Sequence, residues 1–115
     1  TIKISKGMKF TGPDAFRKTK ITAVIVEEGV TSLGYDDYVP DGTFMECPNL
    51  KSVTLPASLT KINGIPFNGC AALSEVKIPD GTKIEYKKST VFSMCSSLTL
   101  AVKAKIKATG YTGEF

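Results

Sequence analysis

Between Leu50 and Leu73 the chain reads LKSVTLPASLTKINGIPFNGCAAL, and the apolar landmarks of that stretch are Leu50, Val53, Leu55, Leu59, Ile62, Phe67 and Cys70. The same order recurs downstream in Leu73, Val76, Ile78, Ile84, Phe92 and Cys95, and upstream in Ile21, Val24, Val26, Val30, Leu33, Phe44 and Cys47. A degenerate first copy reads Ile2, Ile4, Met8 and Phe16, with Thr19 where Cys would fall. One step keeps its spacing of three and three each time: Phe44-Cys47-Leu50, Phe67-Cys70-Leu73 and Phe92-Cys95-Leu98. Leu50 to Leu73 is 23 residues and Leu73 to Leu98 is 25, while Ile21 to Leu50 is 29 because the segment GYDDYVPDGT, from Gly34 to Thr43, intrudes. A period in this range marks a stacked repeat, in which each coil leaves two flat apolar faces that only its neighbours can bury.

Within a coil, alternation sets the local structure. Val53-Thr54-Leu55 gives a half-buried strand, and its copies Val24-Ile25-Val26 and Val76-Lys77-Ile78 are expected beside it as a parallel sheet. Pro56 and Pro79 end two of these strands by removing a ladder donor. Leu59-x-x-Ile62 returns to the core from the other wall, and Phe-x-x-Cys makes the tight helical turn that brings the chain back. The expected division is one domain over 1–115: a degenerate first coil at 1–20, repeats at about 21–49, 50–72 and 73–97, and a C-terminal cap at 98–115.

The pattern L-x-x-V-x-L-P-x-x-L-x-x-I-x-x-x-x-F-x-x-C-x-x-L resembles the bacterial BspA-like, or treponemal-type, leucine-rich repeats. The resemblance implies a repeat solenoid, a right-handed coil with a parallel β-sheet face and short helical or 3-10 turns on the opposite side. It also implies a secreted, periplasmic or cell-surface setting linked to adhesion. Where that family has Gly-x-x-Ala-Phe before the Cys, this chain has Ile65-Pro66-Phe67, Gly42-Thr43-Phe44 and Thr90-Val91-Phe92; only Ala15-Phe16 keeps the Ala.

Composition agrees with short strands and frequent turns: 42% of the 115 residues are hydrophobic, with ten Gly and six Pro. The net charge of +4 comes in blocks, with +5 over residues 1–21, −6 over 22–50 and +5 over 51–115. No apolar run approaches the length of a spanning helix. The chain begins at Thr1, which reads as a processed or trimmed protein.

Catalytic parts are missing from the sequence. With no His there is no Cys–His pair, and no phosphate loop, nucleophile elbow or paired carboxylates stand out, so a non-enzymatic protein without cofactor is expected. Cys47, Cys70 and Cys95 hold equivalent places directly after an inward Phe, which reads as buried structural thiols and not as a metal or redox site.

Function is therefore sought on surfaces. Residues alternating with the buried ones stand outward across coils: Lys3 and Ser5, then Ala23, Ile25 and Glu27, then Ser52 and Thr54, then Glu75 and Lys77, with Lys103 as a further member. Ile25 is the large apolar residue in that row. The insertion, with Tyr35 and Tyr38 among Asp36, Asp37 and Asp41, is a second contact candidate, but it lacks the ligand spacing of a calcium loop. Lys103, Lys105 and Lys107 alternate with Ala104 and Ile106, which on an extended segment makes a basic stripe suited to a sulfated glycan, to an acidic surface, or to protecting a sheet edge. Nucleic acid is not expected, since aromatic residues are not interleaved with basic ones. The leading expectation is a protein-binding module acting through the sheet face; that its partner is a host or matrix protein, or another surface component, is what the family resemblance implies. The alternative is a self-assembling repeat protein that forms homo-oligomers through its sheet face or ends.

Overall fold

The structure, a computed structural model, describes residues 1–6, 16–33 and 43–115. Its elements in chain order are β1 (Ile2–Ile4), β2 (Ala23–Val26), β3 (Ser32–Leu33), β4 (Ser52–Thr54), β5 (Lys61–Ile62), β6 (Glu75–Lys77), β7 (Glu85–Tyr86) and α1 (Leu100–Ala108). They form a repeat solenoid. One strand of each coil joins a four-stranded sheet in the order β1-β2-β4-β6, and the two-residue strands form a second sheet in the order β3-β5-β7. Every pairing is parallel. The sequence pattern marks the second wall only by Leu59-x-x-Ile62, because a strand of two residues is too short to show a period.

Register follows from burial. Val24 pairs with Ile2 and with Val53, which pairs with Val76, so one inward row crosses the first sheet. A one-residue slip would turn that row to solvent. Leu50, Val53, Leu59, Ile62, Phe67, Cys70 and Leu73 are fully buried, as the repeat pattern demands, whereas Ile21 and Ile78 are only half-buried.

The turns carry the spine of the molecule. The Phe16, Phe44, Phe67 and Phe92 rings stack in one column, with centroids 5.6, 5.8 and 5.7 Å apart and planes within 11° of parallel. Each offset-stacked pair contributes about 0.5–1.5 kcal/mol beyond area burial. Cys47 N–H donates to Phe44 O at 3.3 Å and Leu50 N–H to Cys47 O at 3.4 Å, the i to i+3 closure of 3-10 turns, and the next two coils repeat it. Each turn also bonds to its neighbour: Phe44 N–H donates to Pro66 O, and Glu46 N–H to Asn68 O. The residue two after each Phe adopts positive φ: Lys18 at 60°, Glu46 at 56°, Gly69 at 73° and Met94 at 63°. Only Gly69 takes that conformation without a side-chain penalty.

The C-terminal segment differs from its sequence reading. Lys103, Lys105 and Lys107 lie on α1, not on an extended strand, so Lys103 does not extend the sheet row and the three make no single stripe. Thr99 caps the helix, its side-chain oxygen accepting from Val102 N–H at 3.2 Å, and the Leu- and Ala-rich run that follows favours helix. The apolar pair that matters is Val102 and Ile106, four apart: Ile106 is fully buried and Val102 half-buried, at the solenoid end beside β6. The alternating lysines hid that spacing. Lys103 and Lys107, also four apart, lie 5.6 and 5.8 Å from the Phe115 ring centroid.

Beyond α1 the chain seals the phenylalanine column. Tyr111 meets Phe92 edge-on at 5.3 Å and Tyr86 at 5.0 Å. Its hydroxyl accepts from Phe92 N–H at 3.3 Å and has the Ser89 carbonyl at 2.8 Å, with the Glu114 carbonyl as a second partner. A side-chain oxygen thus stands where a further coil would supply a carbonyl.

Candidate functional site

The outward positions of the four-stranded sheet fall into two aligned rows. One runs Lys3, Ile25, Thr54 and Lys77; the other runs Ala23, Ser52 and Glu75. Parallel pairing produces this because residues in register on adjacent strands point to the same side. Ala23, Ile25, Ser52 and Thr54 are half-buried and uncharged, forming a shallow floor across β2 and β4. Lys3, Glu75 and Lys77, on the outer strands, are exposed.

Charges at the margins are partly matched. Lys77 Nζ lies 3.4 Å from Glu75 Oε1, with both side chains more than half exposed, so the pair contributes at most about 1 kcal/mol. Beyond the row, Ser5 Oγ donates to Glu27 Oε1. Among the described residues Lys3 has no ion-pair partner. The structure therefore brings together Ala23, Ile25, Ser52, Thr54, Glu75 and Lys77, with Glu27 just past the end of β2. Tyr35 and Tyr38, with Asp36, Asp37 and Asp41, lie outside the described residues.

The thiols have a structural partner that the sequence does not reveal. Cys47 Sγ donates to Phe16 O at 3.1 Å, Cys70 to Phe44 O at 3.1 Å and Cys95 to Phe67 O at 3.2 Å, so each ties its turn to the preceding coil. In the first coil Thr19 donates to Phe16 O at 2.8 Å and sits 3.7 Å from Cys47 Sγ. Burial pushes the Cys70 thiol up to about 12 and the Cys95 thiol up to about 11. Both are protonated and poor nucleophiles near neutral pH. Among the described residues no group of three or more His, Cys, Asp or Glu is placed to hold a metal ion.

Among the described residues two large apolar side chains that the sequence did not single out are exposed: Met94 at 70% and Leu100 at 85%. Alignment with Gly69 at the positive-φ position was the available signal for Met94. A recess of about 120 Å³ between α1 and the turn after β6, lined by Ile78, Asp80, Thr82, Lys83, Lys105 and Ala108 among others, is below the size of ordinary small-molecule sites. Lys83 there is engaged with the helix, its Nζ donating to Ala108 O at 2.8 Å. Among the described residues no helix is long and apolar enough to cross a membrane.

Residues 12–111 match the family described as a BspA type leucine rich repeat region, in six copies. No curated protein matches the chain. Among solved structures, a leucine rich repeat protein of T. pallidum aligns with a TM-score of 0.57 and 23% identity, covering 83% of this chain and 51% of that one. The chain thus spans about half the length of that protein, and the likeness is one of fold.

Proposed function

The chain belongs to the BspA-type leucine-rich-repeat family, and from that premise we propose that it is the binding module of an exported bacterial protein, engaging a host or matrix protein through its four-stranded sheet. The family match supports a leucine-rich-repeat interaction module. The observation that carries the proposal is the uncharged, half-buried floor of Ala23, Ile25, Ser52 and Thr54, aligned by the register of β1, β2, β4 and β6. A large apolar residue at the centre of such a floor gains from being covered, at about 25 cal/mol per Å² of apolar surface removed from water.

A solid-phase survey against matrix and serum proteins tests the proposal, comparing the wild-type chain with Ile25→Asp, Glu75→Lys and Lys77→Glu. Loss of capture in Ile25→Asp, with the thermal transition unchanged, is the expected result. Capture that survives all three substitutions places the contact elsewhere.

A second reading, self-association, is favoured by the exposure of Met94 and Leu100. Light scattering across a concentration series tests it. A strict monomer at high concentration, or an oligomer unaffected by Leu100→Lys and Met94→Lys, counts against it.

A further inference from the structure

We infer that the partner presents to this sheet an extended, acidic segment of polypeptide crossing the strands, with carboxylates at positions i and i+4 and an apolar side chain at i+2. The inference rests on the sheet-face reading above and gives it a chemistry. Strands of three or four residues are too short to guide a ligand along their length, but four of them side by side provide a longer track. Lys3 and Lys77 stand at the two ends of one row, three strand spacings apart, which at about 4.8 Å each is about 14 Å.

An extended peptide rises about 3.3 Å per residue and sends side chains i, i+2 and i+4 to one face, so its i and i+4 groups stand about 13 Å apart. Carboxylates at those positions meet Lys3 and Lys77. The i+2 side chain then falls midway along the row, over Ile25 and Thr54, where the floor is half-buried and uncharged. Lys3 has no ion-pair partner among the described residues, and the exposed pair of Lys77 with Glu75 is weak enough to exchange for a new carboxylate. A sulfated glycan suits the lysines less well across the middle of the row, because none of the outward strand residues is aromatic and Ile25 there offers an apolar side chain beside the Thr54 hydroxyl.

The test is a ¹⁵N NMR titration of the 115-residue chain with the peptide acetyl-Glu-Thr-Val-Thr-Glu-amide. Its controls are the same peptide with Gln at both ends and a heparin-derived tetrasaccharide. The expected result is a set of amide shifts centred on Ile25 and Thr54, binding at least tenfold weaker for the Gln peptide, and a similar loss in the Lys3→Gln/Lys77→Gln double variant. These are exposed side chains, so the variants keep the wild-type spectrum elsewhere.

The inference is overturned if the Gln peptide binds equally, if the double variant binds unchanged, if the acidic peptide shifts nothing, or if only the tetrasaccharide shifts these amides. Ile25→Asp separates this failure from that of the face itself. Should it abolish capture in the solid-phase survey while the acidic peptide fails here, the face stands and the acidic chemistry falls. Should it alter neither, both fall together.

Discussion

Phe67 lies at the centre of the phenylalanine column, fully buried, with Phe44 at 5.8 Å on one side and Phe92 at 5.7 Å on the other. Truncating it to Ala removes a ring from an interior that cannot collapse around the gap, because the coil spacing is fixed by two sheets and by turn-to-turn bonds such as Phe44 N–H to Pro66 O. Phe→Ala changes in such sites cost about 3–5 kcal/mol. For a chain of this size that lowers the thermal transition by roughly 10–25 °C. A total stability of about 5–15 kcal/mol leaves a marginal protein, so the informative companion is Phe67→Leu. Leucine keeps most of the buried volume but loses two ring contacts, each contributing about 0.5–1.5 kcal/mol, and the expected cost is about 1–3 kcal/mol. Urea denaturation followed by circular dichroism measures both. If Phe67→Leu is as stable as the wild type, the ring column contributes only volume and the reasoning fails; if Phe67→Ala costs under about 1 kcal/mol, the column is not the spine at all.

Three further outcomes follow from particular atoms. Met94 holds φ 63° with its side chain 70% exposed, so Met94→Gly relieves left-handed strain and is expected to stabilise by up to about 1 kcal/mol, read as a rise in the melting temperature; a fall would refute the strain argument. Removing the Tyr111 hydroxyl in Tyr111→Phe leaves Phe92 N–H without its acceptor and is expected to cost about 1–2 kcal/mol in the same assay, whereas an unchanged transition would show that the tail does not cap the column. Alkaline pH should destabilise the fold: Cys70 and Cys95 have folded values of about 12 and about 11 against an ordinary 9.0, so the unfolded chain loses these protons first. Stability from each thiol is complete below pH 9 and is lost as pH rises toward those values, by about 1 kcal/mol apiece at pH 10. Burial pushes Tyr86 up to about 12 and adds in the same sense above pH 10. Melting curves from pH 7 to 10.5 check this; Cys70→Ala should flatten the alkaline slope, and an unchanged slope would be evidence against it.

How far the fold was legible depended on how long each element is and how strictly it repeats. Phe-x-x-Cys-x-x-Leu located the turns because a stacked column of rings and thiols tolerates little variation at those places. The second sheet, at two residues per strand, offered no period to read. Lys103, Lys105 and Lys107 suggested an extended segment by alternation, while the contact that decides the helix is Val102 and Ile106 against the solenoid end, a packing fact absent from local pattern. The outward row through Ile25, Thr54 and Lys77 was readable because strand alternation is strict. The sequence placed both Lys3 and Ser5 outward, and the register decides that Lys3 is the one in line with Ile25.

The sequence by itself determined the coil, its period, its inward residues and the place of the thiols, since each of these depends on which side chain must leave water at a fixed spacing. Tertiary structure alone decided the register that lines up the sheet rows, the carbonyl each thiol meets, the left-handed residues at Lys18, Glu46 and Met94, and the sealing of the column by Tyr111. The thiol bonds and the Tyr111 seal join atoms 19 to 31 residues apart. Such contacts are set by how one coil lies on the next, and no local pattern of apolar and polar residues encodes that offset.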